Sequence, residues 1–91
     1  MRIRRSGRFE NELNTIIDYI AKDKKSAAKV FNRGLQLAIE TLLDHPHRGR
    51  PTEDGGREFI YRGYTIPYVI DGDDIVIMGI FNQNEWSGEE E

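Results

Sequence analysis

Halfway along this chain the spacing of apolar residues changes from a helical period to a strand period, and the change constrains the fold more than any other feature. From Phe9 the apolar positions are Phe9, Leu13, Ile16, Ile17, Ile20 and Ala21, which fall on one face of a helix. Asn11, Glu12, Asn14, Asp18 and Lys22 take the wet side, and Ser6 stands where a helix N-cap belongs. A polar turn, Asp23-Lys24-Lys25, separates this helix from a second one that Ser26 is expected to cap. Ala27, Val30, Phe31, Leu35, Ala38, Ile39, Leu42 and Leu43 carry the same period onward until Pro46 stops it. With only about three residues between them, the two helices should fold back as an antiparallel hairpin. Gly34 inside the second helix costs about 1 kcal/mol relative to Ala, which predicts close approach to a neighbouring backbone there.

Residues 45–56, His-Pro-His-Arg-Gly-Arg-Pro-Thr-Glu-Asp-Gly-Gly, read as a loop with no periodicity. Strands follow. Residues 57–62 alternate, with Phe59 and Tyr61 on one side and Glu58, Ile60 and Arg62 on the other. Gly63 turns the chain into residues 64–70, the pair Asp71-Gly72 signals a second hairpin, and residues 75–81 form an apolar run expected to be a central strand. Pro67 cannot donate to a ladder, so its strand is an edge or carries a bulge. Arg2 to Arg5 alternates around Ile3 and adds a short strand at the start. The expected fold class is α+β: a helical hairpin packed on a mainly antiparallel sheet of about four strands, in the order β-α-α-β-β-β. Phe9, Leu13, Ile17, Phe31, Leu35, Ile39, Ile77 and Phe81 are expected to share one core. Residues 1–91 read as a single domain, with 87–91 a disordered tail.

Ninety-one residues without a cysteine exclude disulfides, thiolate nucleophiles and Cys-bound zinc, and fit a reducing compartment. No apolar run approaches the ~20 residues of a membrane span, and the arginine-rich start lacks the apolar stretch of a signal peptide, so a cytoplasmic protein with no membrane partner is expected. Thirteen Lys and Arg face sixteen Asp and Glu, three of the acids being the terminal Glu89, Glu90 and Glu91. That balance disfavours a broad nucleic-acid footprint. A sheet and a helical hairpin in so short a chain leave apolar groups short of cover, the far face of the sheet above all, and such a chain often takes a partner.

No catalytic or cofactor motif stands out, and no cofactor is expected. His45 and His47 make a poor metal site without acidic or thiol companions and read better as residues of a helix end. Arg48, Arg50, Arg57 and Arg62 form a cationic set. It reads either as a clamp for phosphate or carboxylate or as a solvated sheet edge partnered by Glu53, Asp54 and Glu58. Tyr61, Tyr64 and Tyr68 lie beside these arginines; Tyr68 belongs in the core and Tyr64 is open. The chain then runs through Asn82, Gln83 and Asn84 to Trp86, which reads as an anchor of the C-terminus.

Taken together, the helix ending Asp18-Tyr19-Ile20-Ala21, the opening Ala27-Ala28, Pro46 with Gly49-Arg50-Pro51, and Gly63-Tyr64 with Tyr68 and Ile70-Asp71 resemble the RelE/ParE superfamily of type II toxin–antitoxin toxins. The resemblance spans nearly the whole chain. It implies a cytoplasmic toxin that forms a hetero-oligomer with a co-expressed antitoxin protein. RelE-like members cut mRNA on the 70S ribosome without a metal, using arginine, lysine and a late tyrosine or histidine; ParE-like members poison DNA gyrase. The position after Gly63-Tyr64, often arginine in the ribonucleases, is Thr65 here, and their late basic residues are replaced by Asn82-Gln83-Asn84. Asn82 also departs from the His or Arg usual in the ParE branch, while Gly49-Arg50-Pro51 leans toward that branch. Three readings follow: a gyrase-directed inhibitor, which is favoured; a ribosome-dependent ribonuclease using Arg48, Arg50, Arg57 or Arg62; and an inactive member that only binds antitoxin. Arg50, Arg57, Arg62, Tyr64, Asn82, Gln83 and Trp86 are the expected target- or antitoxin-binding residues.

Overall fold

A computed structural model describes residues 1–82, so the expectations for Gln83, Asn84, Trp86 and the tail lie outside the described residues. The element order is β1 (Arg2–Arg5), α1 (Gly7–Asp23), α2 (Lys25–Glu40), a 3-10 turn (Thr41–Leu43), β2 (Arg50–Pro51), β3 (Arg57–Tyr61), β4 (Tyr64–Asp71), β5 (Asp74–Ile77) and β6 (Phe81–Asn82). One six-stranded sheet runs β1-β5-β4-β3-β2, with β6 also paired to β4. Only β1 runs parallel to its neighbour β5; the remaining pairs are antiparallel.

Ser6 caps α1 as its chemistry predicts, its hydroxyl accepting from the Phe9 N–H at 3.0 Å. The second cap differs from expectation. Ser26 lies inside α2, and the connection is the single extended residue Lys24. The Lys24 N–H closes α1 on the Ile20 carbonyl, and its own carbonyl opens α2 by accepting from Ala27 and Ala28. Main-chain groups of one residue thus serve both helix ends, and the three-residue turn shrinks to one. The helical period carries to Leu42, but the last turn tightens to 3-10 before Pro46.

The loop 45–56 also departs from a structureless reading, because Arg50 and Pro51 pair with Glu58 and Arg57 as a two-residue strand. The apolar run 75–81 is broken as well. Tyr68 pairs with Ile77 and Thr65 with Phe81, so three residues, Met78-Gly79-Ile80, lie opposite Ile66 and Pro67. This is a bulge, and Pro67 is its cause. A strand residue points its N–H and C=O the same way, and the Pro67 carbonyl accepts from Met78, so the missing proline donor faces the bulged partner. The strand β4 is therefore central, and the bulge accommodates Pro67.

The turn Tyr61-Arg62-Gly63-Tyr64 has positive φ at both central residues, 49° for Arg62 and 85° for Gly63, the two-residue hairpin loop whose twist matches its strands. At the other hairpin Gly72 occupies the first loop position, with Asp71 paired to Asp74.

Phe9, Leu13, Phe31, Leu35, Ile39 and Ile77 fill one core with Leu42, Phe59, Ile66, Tyr68, Ile75 and Ile80, and Ile17 packs at its margin. Phe81 does not join them. The bulge shifts the alternation by one residue, leaving Phe81 38% exposed on the opposite side of the sheet, with Ile80 inside instead.

The close approach at Gly34 is made by a side chain, that of Tyr61, and not by the backbone expected from sequence. The Tyr61 hydroxyl reaches toward the Phe31 carbonyl across the helix, and a Cβ on Gly34 would clash with the hydroxyl oxygen. Gly34→Ala should therefore destabilise by about 1–3 kcal/mol despite the better helix former. In a Tyr61→Phe background, where the nearest ring atom stands 3.3 Å away, the same change should be neutral or gain up to about 1 kcal/mol. Equal losses in both backgrounds, measured by urea unfolding, would refute this account.

Candidate functional site

The helices cover one face of the sheet and leave the other open. On the covered side Tyr61 pairs with Tyr64, Phe59 with Ile66 and Arg57 with Tyr68; on the open side Ile60 pairs with Thr65, Glu58 with Pro67 and Val69 with Val76. Alternation adds Phe81 and Met78 to the open side. Ile60, Met78 and Phe81 are exposed by 47%, 41% and 38%, so this face carries an apolar row. Thr65, directly after Gly63-Tyr64, is only 3% exposed between Ile60 and Phe81.

The cations that the register places on this face are neutralised. Arg50 binds Glu58 at 2.8 Å, Arg4 binds Asp74 at 3.0 Å and Asp71 at 3.3 Å, and Arg2 lies 3.6 Å from Asp74. Of the partners proposed from sequence for the arginine set, Glu58 is the one engaged. Asp54 instead accepts from the Thr52 hydroxyl and from the Gly56 N–H, in that order of strength, which holds its carboxyl below the usual carboxylate range.

The arginine set does not converge. Arg57 turns inward beneath the loop, its Nη1 donating to the carbonyls of His47 at 3.2 Å and Gly49 at 2.6 Å. Arg48 donates to the Thr41 hydroxyl and lies over the Phe59 ring at 6.0 Å. Arg62 sits in the hairpin turn over the Tyr61 ring, roughly 17 Å along the strand from Arg57. Arg48, Arg50 and Arg57 thus share the region around residues 45–50, and Arg62 stands apart. His45 and His47 are exposed on the same turn.

A second feature, a groove of about 750 Å³ between α1 and the β4–β6 end of the sheet, is lined by Glu12, Thr15, Ile16, Tyr19, Tyr64, Ile80, Phe81 and Asn82. It brings Tyr64 and Asn82 together, as the sequence reading anticipated only in naming both. Tyr64 meets Phe31 edge-to-face at 5.5 Å. Glu12 holds the bulge to α1: one carboxylate oxygen accepts from the Ile80 N–H at 3.0 Å, and the other from Arg8 at 3.1 Å. The α1 side of the groove was missed from sequence. Its one signal was Tyr19, a large aromatic off the apolar stripe, now 71% exposed.

This two-helix, bulged-sheet chain matches the family model described as the ParE toxin of the type II toxin–antitoxin system parDE over residues 3–85. The chain belongs to the ParE toxin family. Among solved structures it is similar to the chromosomal ParDE toxin–antitoxin system from P. aeruginosa, with a TM-score of 0.78 at 22% identity, covering 90% of this chain and 95% of that one. At that identity the likeness establishes the fold. No curated protein matches the chain. The family assignment makes the protein the toxin component of a type II module, and the ParE branch agrees with the Gly49-Arg50-Pro51 turn rather than with the ribonuclease-like positions.

Proposed function

We propose that this ParE-family toxin acts as a protein inhibitor of DNA gyrase in the cytoplasm and is neutralised by a co-encoded antitoxin protein. The observation that supports this most is the open sheet face. Cleavage of RNA needs a cation to stabilise the charged phosphorane and a group to take the 2′-OH proton. Among the described residues, that face offers an apolar row and arginines already bound to carboxylates. An apolar face with few free charges suits contact with another protein. The same uncovered surface gives an antitoxin segment area to bury.

Induced expression should stall replication with accumulated gyrase–DNA breaks, and the purified toxin should inhibit supercoiling by gyrase. Primer extension on translated messages should show no codon-positioned cuts. Cuts that vanish in Arg57→Ala or Arg62→Ala would replace this reading with the ribosome-dependent ribonuclease. Absence of both cuts and gyrase inhibition would leave a protein that only binds its antitoxin.

A further inference from the structure

The turn at residues 45–50 is held far more firmly than an exposed loop requires. Arg48 N–H donates to the His45 carbonyl at 3.0 Å, and Gly49 N–H donates to the Tyr68 hydroxyl at 2.9 Å. That hydroxyl in turn donates to the Pro46 carbonyl at 2.8 Å, and Arg57 bridges the carbonyls of His47 and Gly49. A phenol only 1% exposed and a half-buried guanidinium thus fasten the backbone from beneath. Surface loops usually leave such groups to water. The side chains of His45, His47, Arg48 and Arg50 meanwhile remain exposed on the outside.

We propose that this turn is a pre-set contact surface for an acidic patch on the toxin's protein target, with Tyr68 and Arg57 as its positioning residues. The inference rests on the reading above that the toxin works by protein contact. Among the described residues, Arg48 and Arg57 make no ion pair, whereas Arg50 is bound to Glu58. Asp44, at the entry, is the one acid within residues 44–50. Arg48 is therefore the cation that the turn presents outward without an ion pair, and Leu43, 43% exposed beside it, adds an apolar contact. Nucleic acid would want a longer row of cations along its phosphates. Here Asp44, Glu53, Asp54 and Glu58 flank the turn in a chain of net charge −3. One compact acidic patch fits better. A backbone already fixed loses little freedom on docking, so the charged tips keep their full effect.

The test compares wild type, Arg48→Glu and Tyr68→Phe for inhibition of purified gyrase, growth arrest on induction, thermal melting and co-purification with the antitoxin. Arg48→Glu should weaken gyrase inhibition at least tenfold and flatten its dependence on salt, with antitoxin binding unchanged within about twofold. The salt response reports charge pairing, which a merely structural role would not move. Tyr68→Phe keeps the ring and frees the turn, and should weaken inhibition about threefold or more while the antitoxin complex still forms. Wild-type potency and salt dependence in Arg48→Glu would overturn the proposal. So would a parallel loss of antitoxin binding, which would assign the turn to the fold or the antitoxin. A wild type that neither arrests growth nor inhibits gyrase refutes the proposed function, and the role of the turn falls with it; a wild type matched by Arg48→Glu refutes the turn alone.

Discussion

Leu35→Ala should lower the unfolding free energy by about 2–5 kcal/mol, the range for truncating a large buried side chain. Leu35 is fully buried in the middle of α2, inside the cluster that contains Phe9 and Phe31 from the helices and Ile66, Ile75 and Ile77 from the sheet. Among the described residues the helices and the sheet share this one core, so a cavity there loosens both. A domain of this size often has only 5–15 kcal/mol in total, and the variant should unfold at markedly lower urea with an unchanged slope. Leu37→Ala, on the same helix but 60% exposed, should change stability by less than about 0.5 kcal/mol. A Leu35→Ala loss below 1 kcal/mol would mean that the two layers do not share this core.

Gly49→Ala should be nearly as damaging, for a reason of space. A Cβ at Gly49 would stand 2.7 Å from the Glu58 carbonyl oxygen, 2.7 Å from Tyr68 Cε1 and 2.8 Å from the Tyr68 hydroxyl. The first is backbone in the β2–β3 ladder, and the tyrosine is locked in the core, so neither can yield cheaply. Overpacking of about 1–3 kcal/mol adds to loss of the Gly49–Tyr68 hydrogen bond, about 0.5–1.5 kcal/mol. The melting temperature should fall by roughly 10 °C or more at the 4–8 °C per kcal/mol expected for so short a chain. Gly7→Ala is the control. Nothing lies within 4 Å of a Cβ there, and the site opens a helix, so the change should be neutral or stabilising. A wild-type melt for Gly49→Ala would show that the turn is looser than its contacts require.

The helix faces were legible because burial of an amphipathic stripe depends only on spacing, and Phe9, Leu13, Phe31, Leu35 and Ile39 all lie inside. Ser6 was legible for the same reason: a cap is a local hydrogen bond. Ser26 misled because α2 begins at Lys25, which puts Ser26 in the first turn and leaves Lys24 at the cap with no side-chain hydrogen bond. Phe81 misled because alternation was counted through a bulge. An edge strand or a bulge in its own strand was expected at Pro67, but β4 is central and the extra residue lies opposite it, because that neighbour faces the missing donor.

For the candidate site, residue type singled out the turn of Gly49, Arg50 and Pro51 and its arginines, and grouped Arg62 with them across the length of a strand. Tyr68 was placed in the core, but its second role, gripping Pro46 and Gly49, needs a strand and a loop 19 and 22 residues away in sequence to meet. By itself the order of residues determined the two helices, the switch to strands, the hairpin turns and the exclusion of cysteine chemistry, all of which rest on local geometry or composition. Only the tertiary structure decided that β1 closes the sheet parallel to β5, that Arg50 pairs with Glu58 while Arg57 turns inward, and that Ile60, Met78 and Phe81 are the residues on the uncovered face expected from the sequence. Those outcomes depend on which distant groups meet, and charge pairing and strand neighbours are settled by contact rather than by spacing along the chain.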